Sequence, residues 1–178
     1  MTIQELLEER KLDSRKSIKL VRHTVNNHKK ISALYKEYIE ENPNARRKDI
    51  SKIANFTNLY ELYKKDKDCF LWYQRGQKNS GRKAKPFHEN KNEDKLIDYI
   101  VSFIGRKGTT AIFIGVYKVV GVKNERKEKE IEYDLQEEIG FKDLSGTISI
   151  EWGNGAKAWV QNYSSNPKEI INIEGTDI

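Results

Sequence analysis

Nucleophilic or acid–base chemistry needs a positioned thiol, imidazole or carboxylate, and this chain is poor in the first two, with one cysteine and three histidines in 178 residues. Cys69 precedes Phe70 in a helical pattern and reads as core, while His28 and His88 lie in polar stretches. His23 alone closes an ordered run, Ser17-Ile18-Lys19-Leu20-Val21-Arg22-His23. There an imidazole either bonds backbone at a strand end or contacts a phosphate or base. The lone cysteine excludes a disulfide framework and a cysteine-rich zinc site, and it fits a reducing compartment. A metal-dependent nuclease would have to pair Asp98 with Glu125-Arg126-Lys127, two carboxylates for a metal and a lysine beside the attacking water. That triplet falls in an alternating charge run, Lys123 to Glu132, where such matches arise easily and which reads as an exposed hairpin turn.

Binding chemistry is better supplied. Residues 1–90 hold 21 Lys+Arg and 12 Asp+Glu, and residues 91–178 hold 12 and 15, so a net charge of +6 conceals a basic first half and a weakly acidic second. The densest excess, Arg75, Lys78, Arg82, Lys83 and Lys85, lies in the stretch from Cys69 to His88, which has no acidic residue. Gly76, Gly81, Asn79, Ser80 and Pro86 loosen its backbone. Such an arm can follow phosphates by neutralising charge and releasing counterions, without reading sequence, or it can be a solvated loop. Arg106 and Lys107, between Gly105 and Gly108, add a second basic turn.

Tyr35, Tyr38, Phe56, Tyr60 and Tyr63 have helical spacing and read as core. Trp72 is left beside the basic arm as a stacking candidate, because Phe70 and Tyr73 claim the buried face of its helix. Trp152 and Trp159 border Gly153-Asn154-Gly155 and can meet across one hairpin, as a core pair or as the wall of a pocket. A base taken out of its stack needs flat rings and a few polar groups at its Watson–Crick edge. Arg22, His23, Tyr117, Trp152, Asn154, Trp159 and Gln161 are the residues proposed for such a pocket. Asn154 between glycines is also a turn residue.

The elements that must hold these residues follow from periodicity. Ile3, Leu6 and Leu7 share one side of a short helix, and a strand follows over residues 17–23. Ile31, Leu34, Tyr35, Tyr38 and Ile39 predict a helix stopped by Asn42-Pro43-Asn44. Ile50, Ile53, Leu59, Leu62 and Tyr63 predict a second, and a third begins at Asp66 with Phe70 and Tyr73 inward. A bridging helix near Glu93 to Ile97 leads to a β-rich half. Tyr99 to Ile104 and Thr110 to Val120 form a hairpin, and strands follow at 131–135, 147–152, 157–162 and 169–173, with Gly153-Asn154-Gly155 as a tight turn. Six or seven short strands would hide their edges by curling into a small barrel.

Several of these residues recur in one combination: Leu20-Val21-Arg22-His23, Phe70 with Tyr73-Gln74 and Gln77, Ile112-Phe113-Ile114-Gly115-Val116-Tyr117, Tyr133-Asp134-Leu135, Gly146, and Ile150-Glu151-Trp152-Gly153-Asn154-Gly155 followed by Ala158-Trp159-Val160-Gln161. The combination resembles the N-terminal region of bacterial GIY-YIG nuclease family proteins over nearly the whole chain, residues 31–55 and the basic arm standing as insertions. In that family the nuclease domain follows the segment matching Lys168 to Ile173, whereas this chain stops at Ile178. The resemblance therefore implies a targeting module without its catalytic domain. Ile114-Gly115-Val116-Tyr117 and Tyr99-Ile100 do not make a degenerate GIY-YIG site, since their order is wrong. More weakly, the strand containing Phe113-Ile114-Gly115-Val116-Tyr117 is similar to PUA-like and EVE-type readers of modified bases.

The expectation is an α+β protein, a helical N-terminal half packed on a small mixed or antiparallel PUA-like β-barrel. It is one domain over 1–178, mainly helical over 1–75, a basic loop over 76–92 and mainly β over 93–178. Its expected role is that of a DNA-binding targeting module of a restriction or phage-defence nuclease, reading a modified or flipped base, with no catalysis and no cofactor of its own. The expected partners are DNA, double-stranded and modified, and a nuclease domain or subunit. The rivals are an RNA-binding PUA-like module, a protein-interaction adaptor and a standalone metal-dependent nuclease. No N-terminal signal pattern or long apolar span is present, so the chain reads as cytoplasmic.

Overall fold

The computed structural model describes residues 1–23, 40–44, 73–75, 89, 95–105, 109–124, 130–153 and 160–173. The chain opens with α1 (Ile3–Glu9), whose start is fixed by a capping box: the Thr2 hydroxyl accepts from the Glu5 amide and the Glu5 carboxylate accepts from the Thr2 amide. Two otherwise orphaned amide donors are satisfied this way. Ile3 and Leu7 on its inner side are completely buried.

Eight strands follow among the described residues: β1 (Ile18–His23), β2 (Tyr73–Arg75), β3 (Tyr99–Gly105), β4 (Thr110–Asn124), β5 (Glu130–Glu137), β6 (Ile148–Glu151), β7 (Val160–Asn162) and β8 (Ile170–Ile173). A 3-10 helix (Ile139–Leu144) joins β5 to β6 and buries Phe141 and Leu144. The strands form one sheet in the order β2-β5-β4-β3-β1-β7, with β6 pairing β4 and β8 pairing β6. β1 runs parallel to β3, and every other pair is antiparallel. A parallel pair needs a long connection rather than a tight turn, and residues 24–98 supply it.

Five of the six β1 residues are buried, Lys19 being the intermediate one, so the strand has no solvent side and sits inside the sheet, flanked by β3 and β7. Side-chain alternation along the strands separates two faces. One carries the main core, where Leu20, Val101, Phe103, Phe113, Val116, Ile148, Ile150 and Trp152 meet α1 and the 3-10 helix. The other carries a smaller cluster of Val21, Ile97, Ile100 and Tyr133.

The two ends of the chain are clasped. The Ile3 amide donates to the Lys168 carbonyl (2.8 Å), and the Ile170 amide donates to the Met1 carbonyl (3.1 Å). The buried Gln4 side chain donates to the Tyr163 carbonyl (3.0 Å) and accepts from the Lys168 amide (2.9 Å), while the Tyr163 hydroxyl donates to the Gln4 carbonyl (2.8 Å). Burial pushes the Tyr163 phenol well above its ordinary value, Glu8 adding to the effect.

The expected helical N-terminal half on a barrel is overturned. Strand dominates, and the sheet curls into a half-barrel in which, among the described residues, β2 and β7 do not pair. Strands from both halves of the chain share it, because β1 is a full member. Tyr73, expected on the inner face of a helix, begins β2 and pairs with Glu132 of β5. Pairing to a neighbouring strand overrode a local helical period there. Residues 95–97 are not helical either. The short first helix, the stop at Pro43 after the helical Glu40 and Glu41, and the β3–β4 hairpin agree with expectation. The rest of the two helices expected between Ile31 and Tyr63, and the start of the third at Asp66, lie outside the described residues.

β6 and β7, expected as a hairpin across Gly153-Asn154-Gly155, do not pair, since β6 lies against β4 and β8 and β7 lies against β1. No helix among the described residues is long and apolar enough to cross a membrane.

Candidate functional site

Register brings one end of the sheet together. His23 pairs with Ile104, Gly105 with Ala111, Thr110 with Glu151, and Val21 with Val160. The strand ends that flank residues 106–108 and residues 154–159 therefore lie side by side. Of the proposed pocket and phosphate-binding residues, Arg22, His23, Trp152 and Gln161 sit on strands or termini at this end, and Tyr117 lies midway along β4. Trp72, Lys78, Arg82, Lys83, Lys85, Arg106, Lys107, Asn154 and Trp159 lie outside the described residues.

Arg22 is 7 % exposed and lies on the main-core face with Leu20. Its guanidinium rests against the backbone of Gly105, where a Cβ would come within 2.7 Å of Nε. Gly105 thus allows a close approach that any side chain would obstruct. Nη2 donates weakly to the Thr110 carbonyl at 3.5 Å. Burial lowers the guanidinium pKa from its ordinary value, yet an arginine keeps its charge.

Trp152 is 0 % exposed and belongs to the core. Its ring meets the edge of Phe103 with centroids 5.5 Å apart and planes at 63°. Its amide donates to the Thr109 carbonyl at 2.7 Å. Lys168, only 2 % exposed, donates its ammonium to the Trp152 carbonyl and holds it 5.3 Å from the centre of the Trp152 ring. Desolvation lowers the Lys168 pKa, with Glu151 acting the other way. The cation is stabilised by a carbonyl dipole and a ring quadrupole.

His23 and Tyr117 face away from this core. His23 Nε2 lies 3.4 Å from the Ser102 hydroxyl, both residues being buried. The Tyr117 ring folds over Gly115, where a Cβ would come within 2.5 Å of the phenol oxygen. Tyr117 and Trp152 therefore occupy opposite faces of the sheet, and no single pocket gathers the described members of the proposed set. Gln161, on β7 opposite Leu20 of β1, keeps its amide oxygen buried with no hydrogen-bond partner among the described residues.

Arg75 is placed only by its backbone, opposite Glu130. Glu130 lies beyond the Asn124–Glu132 pair at the far end of β4. Arg75, which precedes the basic arm in sequence, and Gly105, which precedes Arg106-Lys107, thus stand towards opposite ends of β4, roughly 45 Å apart along the strand. Among the described residues no group of three or more His, Cys, Asp and Glu could hold a metal ion.

Two residues of structural weight escaped the sequence reading. Lys168, in Asn166-Pro167-Lys168-Glu169, carries every sign of a solvated loop lysine, and burial of an unpaired-looking lysine leaves no local signature. Ser102 sits in the middle of an apolar strand, where a single hydroxyl barely disturbs the pattern. Comparison with protein-family models, with curated proteins and with solved structures finds no match.

Proposed function

We propose that the protein binds double-stranded DNA, in a targeting role of the kind implied by its resemblance to modules that accompany GIY-YIG nucleases. The single observation that carries this reading is the convergence of the strand ends flanking Arg106-Lys107 and Asn154 to Trp159, braced from beneath by Arg22 and Trp152. Strand ends that lead in sequence into basic residues and into a glycine-flanked aromatic segment support the two things a DNA contact requires, phosphate neutralisation and a platform for a base. In this reading Arg22 and Trp152 are framework, and contact falls to Arg106, Lys107, Asn154 and Trp159. The basic arm adds affinity independent of sequence.

The test is fluorescence anisotropy with one labelled duplex, unmodified or carrying 5-methylcytosine, alongside its RNA equivalent, at several salt concentrations. Each lost phosphate contact lowers the slope of log affinity against log salt by about 1. Arg106→Ala with Lys107→Ala is expected to weaken duplex binding and lower the slope by about 2. Trp159→Ala should abolish any preference for the modified duplex while leaving the slope unchanged. Absence of binding at low salt would refute the proposal, and equal affinity for RNA would favour the RNA-binding alternative.

A further inference from the structure

At the opposite end of the sheet a polar cleft of about 190 Å³ opens between the start of β1 and the end of β7, its walls including Ser14, Lys16, Ser17, Lys19, Asn162 and Ser164. The acidic groups around it are already engaged. Asp13 takes both guanidinium contacts of Arg15 (3.0 and 3.1 Å), Glu89 in the wall of the cleft is paired with Lys95 (3.3 Å), and Asp98 accepts from the Ser17 amide and hydroxyl (3.0 and 3.1 Å). The Ser17 hydroxyl in turn accepts from the Asp98 amide at 2.9 Å, which fixes this side of the cleft.

The cations are not engaged in the same way. Lys19 is half-buried and donates to the side-chain oxygen of Asn162, a neutral group. Neither Lys19 nor Lys16 has a carboxylate within ion-pair distance among the described residues. Two ammonium groups, neither ion-paired among the described residues, therefore border this space with the Ser14 and Ser164 hydroxyls exposed beside them. The complementary occupant is a compact anion rich in acceptor oxygens. The volume exceeds what an isolated oxyanion fills and leaves room for part of an attached sugar.

We propose that this cleft is a binding site for a phosphate monoester, held by Lys16 and Lys19 and oriented by the Ser14 and Ser164 hydroxyls. Two sources share this chemistry, a free nucleoside monophosphate and the 5′-phosphate of a DNA strand end. The proposal is independent of the DNA contact at the other end of the sheet, which involves none of these residues.

The experiment is isothermal titration calorimetry of the full chain with inorganic phosphate, with deoxyadenosine 5′-monophosphate, and with a short duplex bearing either 5′-phosphate or 5′-hydroxyl ends. Binding of the mononucleotide, weakened about tenfold or more by Lys19→Met and by Lys16→Met but unchanged by Lys142→Met on the 3-10 helix, is the expected result. Lys16 is exposed, so its variant tests the site even if Lys19→Met disturbs the fold. A duplex preference for the 5′-phosphate that both variants remove identifies the strand end as the source, and its absence identifies the free nucleotide. No binding of phosphate or mononucleotide at millimolar concentration, or binding indifferent to both lysine substitutions, overturns the proposal.

Discussion

The two ends of the sheet hold basic residues under opposite conditions. At the end where β1, β3 and β6 finish, Arg22 and Lys168 are buried, and each directs its charge at a main-chain carbonyl, that of Thr110 or Trp152. At the other end Lys16 and Lys19 line an open cleft whose neighbouring carboxylates bond other groups, Glu89 to Lys95 and Asp98 to Ser17. A cation enclosed by carbonyls and rings serves the fold, because moving it would leave a charge or a carbonyl unsatisfied. One that borders a cleft with no ion-pair partner among the described residues retains donors for a ligand. Residue type alone does not separate the two cases, and the geometry of acceptors around each ammonium does.

The comparison is broken most directly at the closed end. Trp152→Ala should lower unfolding free energy by about 3–5 kcal/mol, the usual cost of truncating a buried aromatic, measured by urea denaturation. A loss under 1 kcal/mol would mean that the ring is not core. Gly105→Ala is the next largest, since the added methyl displaces the Arg22 guanidinium. A cost of about 1–3 kcal/mol is expected, at the lower end because the atoms that must move are the tip of a flexible side chain.

The smallest effects lie in pH dependence, and they sharpen the contrast by sign. Lys168 has a lowered pKa in the fold, so the unfolded chain binds more protons between that value and 10.5, and stability contributed by this group rises with pH across the window. Lys168→Met should remove that rise. Tyr163 has a raised pKa, so the unfolded chain releases a proton first, and stability falls as pH climbs above 10.0. Tyr163→Phe should remove that fall while losing about 1 kcal/mol for the hydroxyl bond to Gln4. Thermal melts from pH 8 to 11 on both variants decide it, and matching curves for wild type and variants would contradict the burial of both groups.

Much of the β-rich part was legible because strands carry their signal in adjacent residues. Tyr99 to Gly105 and Thr110 to Val120 are β-branched and aromatic runs around a glycine-bounded turn, and they pair as the pattern implies. Ile3, Leu6 and Leu7 likewise mark a short helix, whose start the structure places at a Thr2–Glu5 capping box. Tyr73 was misread because three residues of edge strand carry too short a pattern to compete with helical periodicity upstream. The β6–β7 hairpin was misread because a glycine-rich turn signals a reversal but not which strands lie next to each other.

The candidate site shows the same division. Arg22 and Trp152 were picked out by type, and the structure brings both to one sheet end, but as buried supports. Tyr117 and Trp152 were grouped by chemistry and are separated by the sheet itself, an outcome of strand parity once β4 is paired. Lys168 was overlooked because its partners, the Trp152 carbonyl and ring, lie 16 residues away in sequence.

Local composition by itself determined the short first helix, most of the strands, the charge division between the two halves and the scarcity of groups for nucleophilic or metal chemistry. Only the tertiary structure decided that the described strands make a half-barrel, that β1 lies between β3 and β7, that Arg22 and Lys168 are enclosed, and that Lys16 and Lys19 border a cleft. The physical reason is range. Backbone preference and periodicity act over a few residues, whereas burial of a charge, and the counter-charge it finds or lacks, depends on segments up to the whole chain length apart.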